Sequence, residues 1–135
     1  MRGWIGRFIR RGPAPAAPVE SAPVSQRLKR YTAASGYVYE YFNLGHRDES
    51  GTRRHRFHVS ADRKNWFEVE VAVEDQGIRT WELDNGRVLN SAERYAVAKL
   101  ALFDAFDEGE SPEALRAPVQ VPALRIARLL ASVDL

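Results

Sequence analysis

The chain has 135 residues, with 20 Lys/Arg, 18 Asp/Glu and no cysteine. That length holds one ordinary core plus a tail, and 44% hydrophobic with 28% charged residues is the balance of a globular protein. The absence of cysteine excludes a disulfide framework, a thiolate nucleophile and a Cys-ligated zinc, and no apolar run reaches the roughly 18 residues that span a bilayer. The net charge of +2 is unevenly placed. Residues 1–30 carry seven Lys/Arg against Glu20 alone, whereas the rest carry 13 Lys/Arg against 17 Asp/Glu. The folded part is expected to be net acidic, a poor general ligand for phosphate backbones. Arg7 interrupts the first apolar residues before a signal-peptide core develops, so a cytoplasmic setting is the default expectation.

Residues 1–23 read as a disordered basic tail rich in Pro and Ala. Wound as a helix, Trp4, Ile5, Phe8 and Ile9 fall within an arc of about 140°, across from Arg7, Arg10 and Arg11. Those seven residues are the candidate contact with an anionic membrane surface or a partner protein. Gly3 and Gly6 prevent so short a segment from holding a helix unaided.

Residues 24–135 are expected to form a single α+β domain. Val24 to Ala34 reads as a short helix ended by Gly36, with Leu28 and Tyr31 on one side. Tyr37 to Leu44 is dense in aromatic and β-branched residues and reads as a strand whose two faces are both apolar. Gly45 to Thr52 is a polar connection with two glycines. Two runs then alternate: His55, Phe57 and Val59 against Arg54, Arg56 and His58, and Phe67, Val69, Val71 and Val73 against Glu68, Glu70 and Ala72. The hairpin register that gathers the apolar residues sets Val59 opposite Phe67 and Phe57 opposite Val69. It also sets His58 opposite Glu68 and Arg56 opposite Glu70 on the wet face, so charge and apolar patterns agree.

Ile78 to Leu83 fits a helical turn or two, stopped by Asn85-Gly86. Asn90 to Glu108 is the strongest helix signal in the chain, free of Gly and Pro, with Asn90 and Glu93 spaced as a capping box. Its apolar face is expected to hold Tyr95, Ala98, Leu102, Phe103, Ala105 and Phe106. Ser111-Pro112-Glu113 opens a short helix to Arg116, Val119–Val121 is extended, and Pro122 opens a last helix with Ala123, Ile126, Ala127, Leu130 and Val133 on one face. The expected fold is thus a three-stranded antiparallel β-meander with one long α-helix packed on one face, short flanking helices and a basic N-terminal tail.

Chemistry-bearing residues are few. His55 and His58 have H-x-x-H spacing, but residues three apart on a strand point to opposite faces and cannot share an ion. Arg53, Arg54, Arg56, Arg63 and Lys64 form a basic cluster, and the expected order helix, three strands, helix resembles that of the double-stranded RNA-binding domain. That family begins its last helix with a lysine cluster, where this chain has Ser91-Ala92-Glu93-Arg94 and ends the helix in Asp104, Asp107 and Glu108, a poor match to phosphate. Lys99 is the one charge inside the apolar helix face, expected to lay its stem over aromatics or to pair with a carboxylate such as Glu40. No Gly-rich phosphate loop, nucleophile elbow or carboxylate pair stands out. No catalytic residue, metal ligand or cofactor is expected. The sequence points to a non-enzymatic interaction or adaptor module working through Tyr37, Tyr39, Tyr41 and Trp66. A protein partner or a second copy is the expected ligand, with a membrane surface as the alternative and nucleic acid disfavoured.

Overall fold

The computed structural model describes residues 27–133. The readings made for Trp4, Ile5, Arg7, Phe8, Ile9, Arg10 and Arg11 lie outside the described residues. The described chain is α+β: a curled five-stranded sheet with three α-helices. The strands are β1 (Lys29–Thr32), β2 (Val38–Glu49), β3 (Thr52–Ser60), β4 (Phe67–Glu74) and β5 (Val119–Val121), adjacent in that order. The first four pair antiparallel, and β5 runs parallel to β4 with Val71 opposite Val119 and Val73 opposite Val121. A parallel neighbour needs a long crossover. Here it consists of α1 (Asp75–Asn85), α2 (Ser91–Glu108) and a 3-10 turn at Pro112–Leu115, and α3 (Ala123–Ala131) follows β5.

The β3–β4 register is the one the alternation predicts: Val59 pairs with Phe67, His58 with Glu68, Phe57 with Val69 and Arg56 with Glu70. Phe57, Val59, Val69 and Val71 are fully buried beneath α2, which contributes Val97, Ala98, Ala101, Leu102 and Phe106 to the same core. Tyr95, Phe103 and Ala105 flank that stripe, only partly buried. The capping box at the start of α2 is complete: the Asn90 side chain accepts from the Glu93 N–H at 2.8 Å, and the Glu93 carboxylate accepts from the Asn90 N–H at 3.0 Å. Gly86 stops α1 in the left-handed conformation, φ 65°, which glycine adopts without a Cβ clash.

Four expectations are corrected. The segment read as a helix from Val24 to Ala34 contains strand β1, and this also removes the element order shared with the double-stranded RNA-binding domain. Tyr31 turns inward there, its ring stacked on Phe103 at 4.3 Å and its hydroxyl donating to Asp107 at 2.6 Å. The segment pairs antiparallel with β2, Tyr31 opposite Tyr39, and alternation across the strand puts Tyr31 on the face that α2 covers. The polar connection from Gly45 to Thr52 is instead the far half of a hairpin, with β2 and β3 running on to a two-residue turn at Ser50 and Gly51, φ 52° and 76°. Two successive positive φ values match the twist of the flanking strands. The meander of three strands is therefore a mixed sheet of five. In α3 the buried side is Ile126, Leu129 and Leu130, and Ala127 and Val133 are exposed. The helix is rotated toward Leu129 because it packs against α1 as well as α2.

The α1–α3 contact depends on a missing side chain. A Cβ at Gly77 would lie 2.5 Å from Ile126 Cδ1 and 2.8 Å from Ala123 Cα. The isoleucine tip can rotate away, but the Ala123 backbone cannot without moving α3. Gly77→Ala is expected to cost about 1–3 kcal/mol through overpacking, measured as a lower urea midpoint at unchanged slope.

Candidate interaction surface on the open face of the sheet

With α2 against one face, the other face of the sheet has no helix over it among the described residues. Side chains alternate across each strand, so the register assigns Val38, Glu40 and Phe42 of β2, Arg54, Arg56 and His58 of β3, and Glu68 and Glu70 of β4 to this open face. The β3–β4 loop delivers Trp66 beside them. Ser60 Oγ accepts from the Arg63 N–H at 2.9 Å, and Asp62 accepts from the backbone N–H groups of Lys64 and Asn65, each at 2.8 Å. Those donors hold the Asp62 carboxyl well below the usual range. Arg63 takes φ 67° to close the loop. The loop is thus tied to its own backbone and sets Trp66 against Phe42 and His58, ring centres 5.7 and 5.3 Å away. Phe42 and His58 meet edge to face at 5.2 Å. All three rings are partly exposed.

The rest of the open face is a ladder of internally matched charges. Arg56 pairs with Glu68 through two hydrogen bonds of 2.9 and 3.0 Å, Arg54 bridges Glu49 and Glu70, and Arg47 lies 3.7 Å from Glu70. Near the aromatic trio, Arg30 reaches Glu40 at 3.1 Å and Arg63 reaches it at 3.6 Å. Where both partners are exposed, as in Arg56–Glu68, such a pair contributes at most about 1 kcal/mol to stability; Glu40 is itself buried beneath its two arginines. The larger effect of these pairs is to leave the surface close to neutral, which gives no advantage to a polyanion.

The expected interface residues divide. Tyr39 and Tyr41 are 0% and 2% exposed and cannot touch a partner. Tyr39 stacks on Phe106 at 4.2 Å, and burial pushes the Tyr41 hydroxyl up to about 12. They face α2 because β1 and the C-terminal half of α2 cover that side of β2. Tyr37 remains 39% exposed in the β1–β2 turn, and Trp66 is partly exposed on the open face. Phe42 and His58 are the members of this surface that sequence reasoning did not single out. The signal was present in Val38, Phe42 and Leu44 alternating against the tyrosines. Lys99 is half-buried with Nζ 5.8 Å from the Phe103 ring centre, and burial, followed by the charge of Lys29, lowers its pKa. Glu40 is engaged by Arg30 and Arg63 rather than by Lys99.

Two other places were candidates. A shallow groove between α2 and α3 is lined by Tyr31, Leu100, Phe103, Asp104, Arg125 and Leu129, and an Arg125–Asp104 pair of 3.3 Å crosses it. At the N-terminal end of α2 lies a polar cluster around the buried His55. Arg94 pairs with Asp75 at 2.7 Å and Arg53 with Asp48 at 2.8 Å. His46 stands directly opposite His55 in the strand register. Burial, then the nearby charges of His46, Arg53 and Arg94, drives the His55 imidazole down to about 4.

Compared with known proteins, the chain matches no family model, no curated protein and no solved structure. Among the described residues no helix is long and apolar enough to cross a membrane.

His55 gives the fold a dependence on pH with a definite sign. Its folded pKa is depressed from 6.5 to about 4, so the unfolded chain binds more protons between those values. Stability is fully present above pH 6.5 and declines as pH falls toward 4, by about 3 kcal/mol for a shift of that size. His55→Phe is expected to flatten this limb of the stability profile. An unchanged slope between pH 6.5 and 4 in the variant would show that His55 does not carry it.

Proposed function

We propose that this chain is a non-enzymatic interaction module whose working surface is the open sheet face around Phe42, His58 and Trp66, and that its partner there is a second copy of the chain. The observation that supports this most is a tryptophan presented on a loop fixed by its own hydrogen bonds, packed on a second aromatic and left partly exposed. Rigid aromatics with a polar edge lose little entropy on docking and carry much of the energy of protein interfaces. A self-complementary pairing follows from the charges. The arginines of β3 form a row beside the glutamates of β4, so a two-fold axis lying between the rows sets the basic row of one copy against the acidic row of the other, while a uniformly acidic or basic partner meets as many like charges as unlike ones.

Sedimentation equilibrium of the full chain at neutral pH tests the proposal. A dimer is expected at concentrations up to about 100 µM, a range suited to a modest isologous interface. Trp66→Glu and Phe42→Arg are each expected to yield monomers with unchanged circular dichroism. A wild-type chain that stays monomeric, or variants that still dimerise, would overturn the proposal.

A second reading rests on residues outside the described part. The arc Trp4, Ile5, Phe8 and Ile9 beside Arg7, Arg10 and Arg11 supports attachment to an anionic membrane surface. Removal of residues 1–23 would then abolish co-sedimentation with phosphatidylserine vesicles.

A further inference from the structure

The H-x-x-H pair in the sequence is split by the sheet: His58 joins the open face, and His55 turns toward α2. What His55 meets there is His46, its register partner across the hairpin. The pairing is produced by a bulge. The β2–β3 register shifts between Asn43 and Gly45, so Leu44 is the extra residue and Gly45 pairs with Arg56. Without the shift Gly45 would face His55; with it, His46 does. A β-bulge re-aims side chains in this way and is common beside functional sites.

The two imidazoles have ring centres 5.5 Å apart at an angle of 47°. Two imidazoles on one tetrahedral zinc, each nitrogen about 2.0 Å from the ion, have ring centres roughly 5 Å apart. The observed spacing is within a small side-chain adjustment of that value. His55 Nε2 is buried without a hydrogen-bond partner among the described residues, an arrangement that costs free energy unless something fills its coordination. His46 is exposed, giving an ion a way in. Partial desolvation and the charges of Arg53 and Arg94 lower the pKa of both imidazoles, which favours the neutral form that has a lone pair to offer. The four charges around them cancel as the pairs Arg53–Asp48 and Arg94–Asp75.

We propose that His46 and His55 form a two-imidazole site for a divalent transition ion of the zinc class, with water completing the coordination. Among the described residues no group of three or more His, Cys, Asp or Glu is placed to share an ion, so the site is open and exchangeable rather than a structural zinc. Imidazole nitrogen is the ligand type that zinc takes readily. The inference stands apart from the sheet-face proposal, since it uses the other face and the far end of the hairpin.

The chain contains only three histidines and no cysteine, which makes the test clean. The full chain, prepared without a polyhistidine tag, is titrated with zinc chloride by calorimetry at pH 7, and imidazole resonances are followed by NMR. One ion per chain is expected, with the His46 and His55 signals shifting and His58 unmoved. His46→Gln, at an exposed position, is expected to weaken binding at least about tenfold, the least that losing even an outer-shell partner costs, and His58→Gln to leave it unchanged. Absence of binding up to millimolar zinc, wild-type affinity in His46→Gln, or an equal loss in His58→Gln would overturn the proposal.

Discussion

The structure depends on the pairing of β3 with β4. In that register the inward pairs over the core, Val59 with Phe67 and Phe57 with Val69, are apolar, His55 and Arg53 follow on the same face toward the hairpin's far end, and the outward positions bring histidine and arginine beside glutamate. A slip of one residue would exchange the two faces and place Glu68 and Glu70 under α2. Two independent patterns, apolar and ionic, therefore exclude the same alternatives. Around this hairpin the rest is built outward: β2 and then β1 on one side, and β5 on the other after the helical crossover.

That single constraint creates two unlike surfaces. The inner one is dry, with Phe57, Val59, Val69 and Val71 fully buried against Leu102 and Phe106. Burial of such side chains contributes roughly 1.5–3 kcal/mol each, so stability resides there. The outer one holds partly exposed rings among paired charges that contribute little to stability. Residues there can be retained for recognition at small cost to folding. The hairpin also extends beyond the helix, and His46 and His55 sit where the core gives way to ion pairs.

The hairpin, the capping box at Asn90 and Glu93, and the Gly86 stop were all legible because each is a local pattern with one physical solution. Strand β1 was not, since Leu28 and Tyr31 are three apart and fit a helical face, and only the long-range pairing with β2 decides for a strand. The far half of the β2–β3 hairpin was hidden for a different reason. It projects past the core, so neither face is apolar and no alternation marks it. Tyr39 and Tyr41 could not be sided from sequence because Val38 and Phe42 are apolar too; the cover provided by β1 and α2 settles it. The His46–His55 pairing requires a bulge at Leu44; its local signal is Gly45, φ 110°, which on sequence reads equally as the start of a polar connection.

One face of this sheet carries the fold, and the other is the face proposed for recognition. Urea denaturation of Phe106→Ala beside Trp66→Ala, at concentrations where the chain is monomeric, tests this division directly. A loss of about 3–5 kcal/mol is expected for Phe106→Ala, as for a buried aromatic, and a change within about 1 kcal/mol for Trp66→Ala. Comparable losses at the two positions would contradict it, because the open face would then be part of the core.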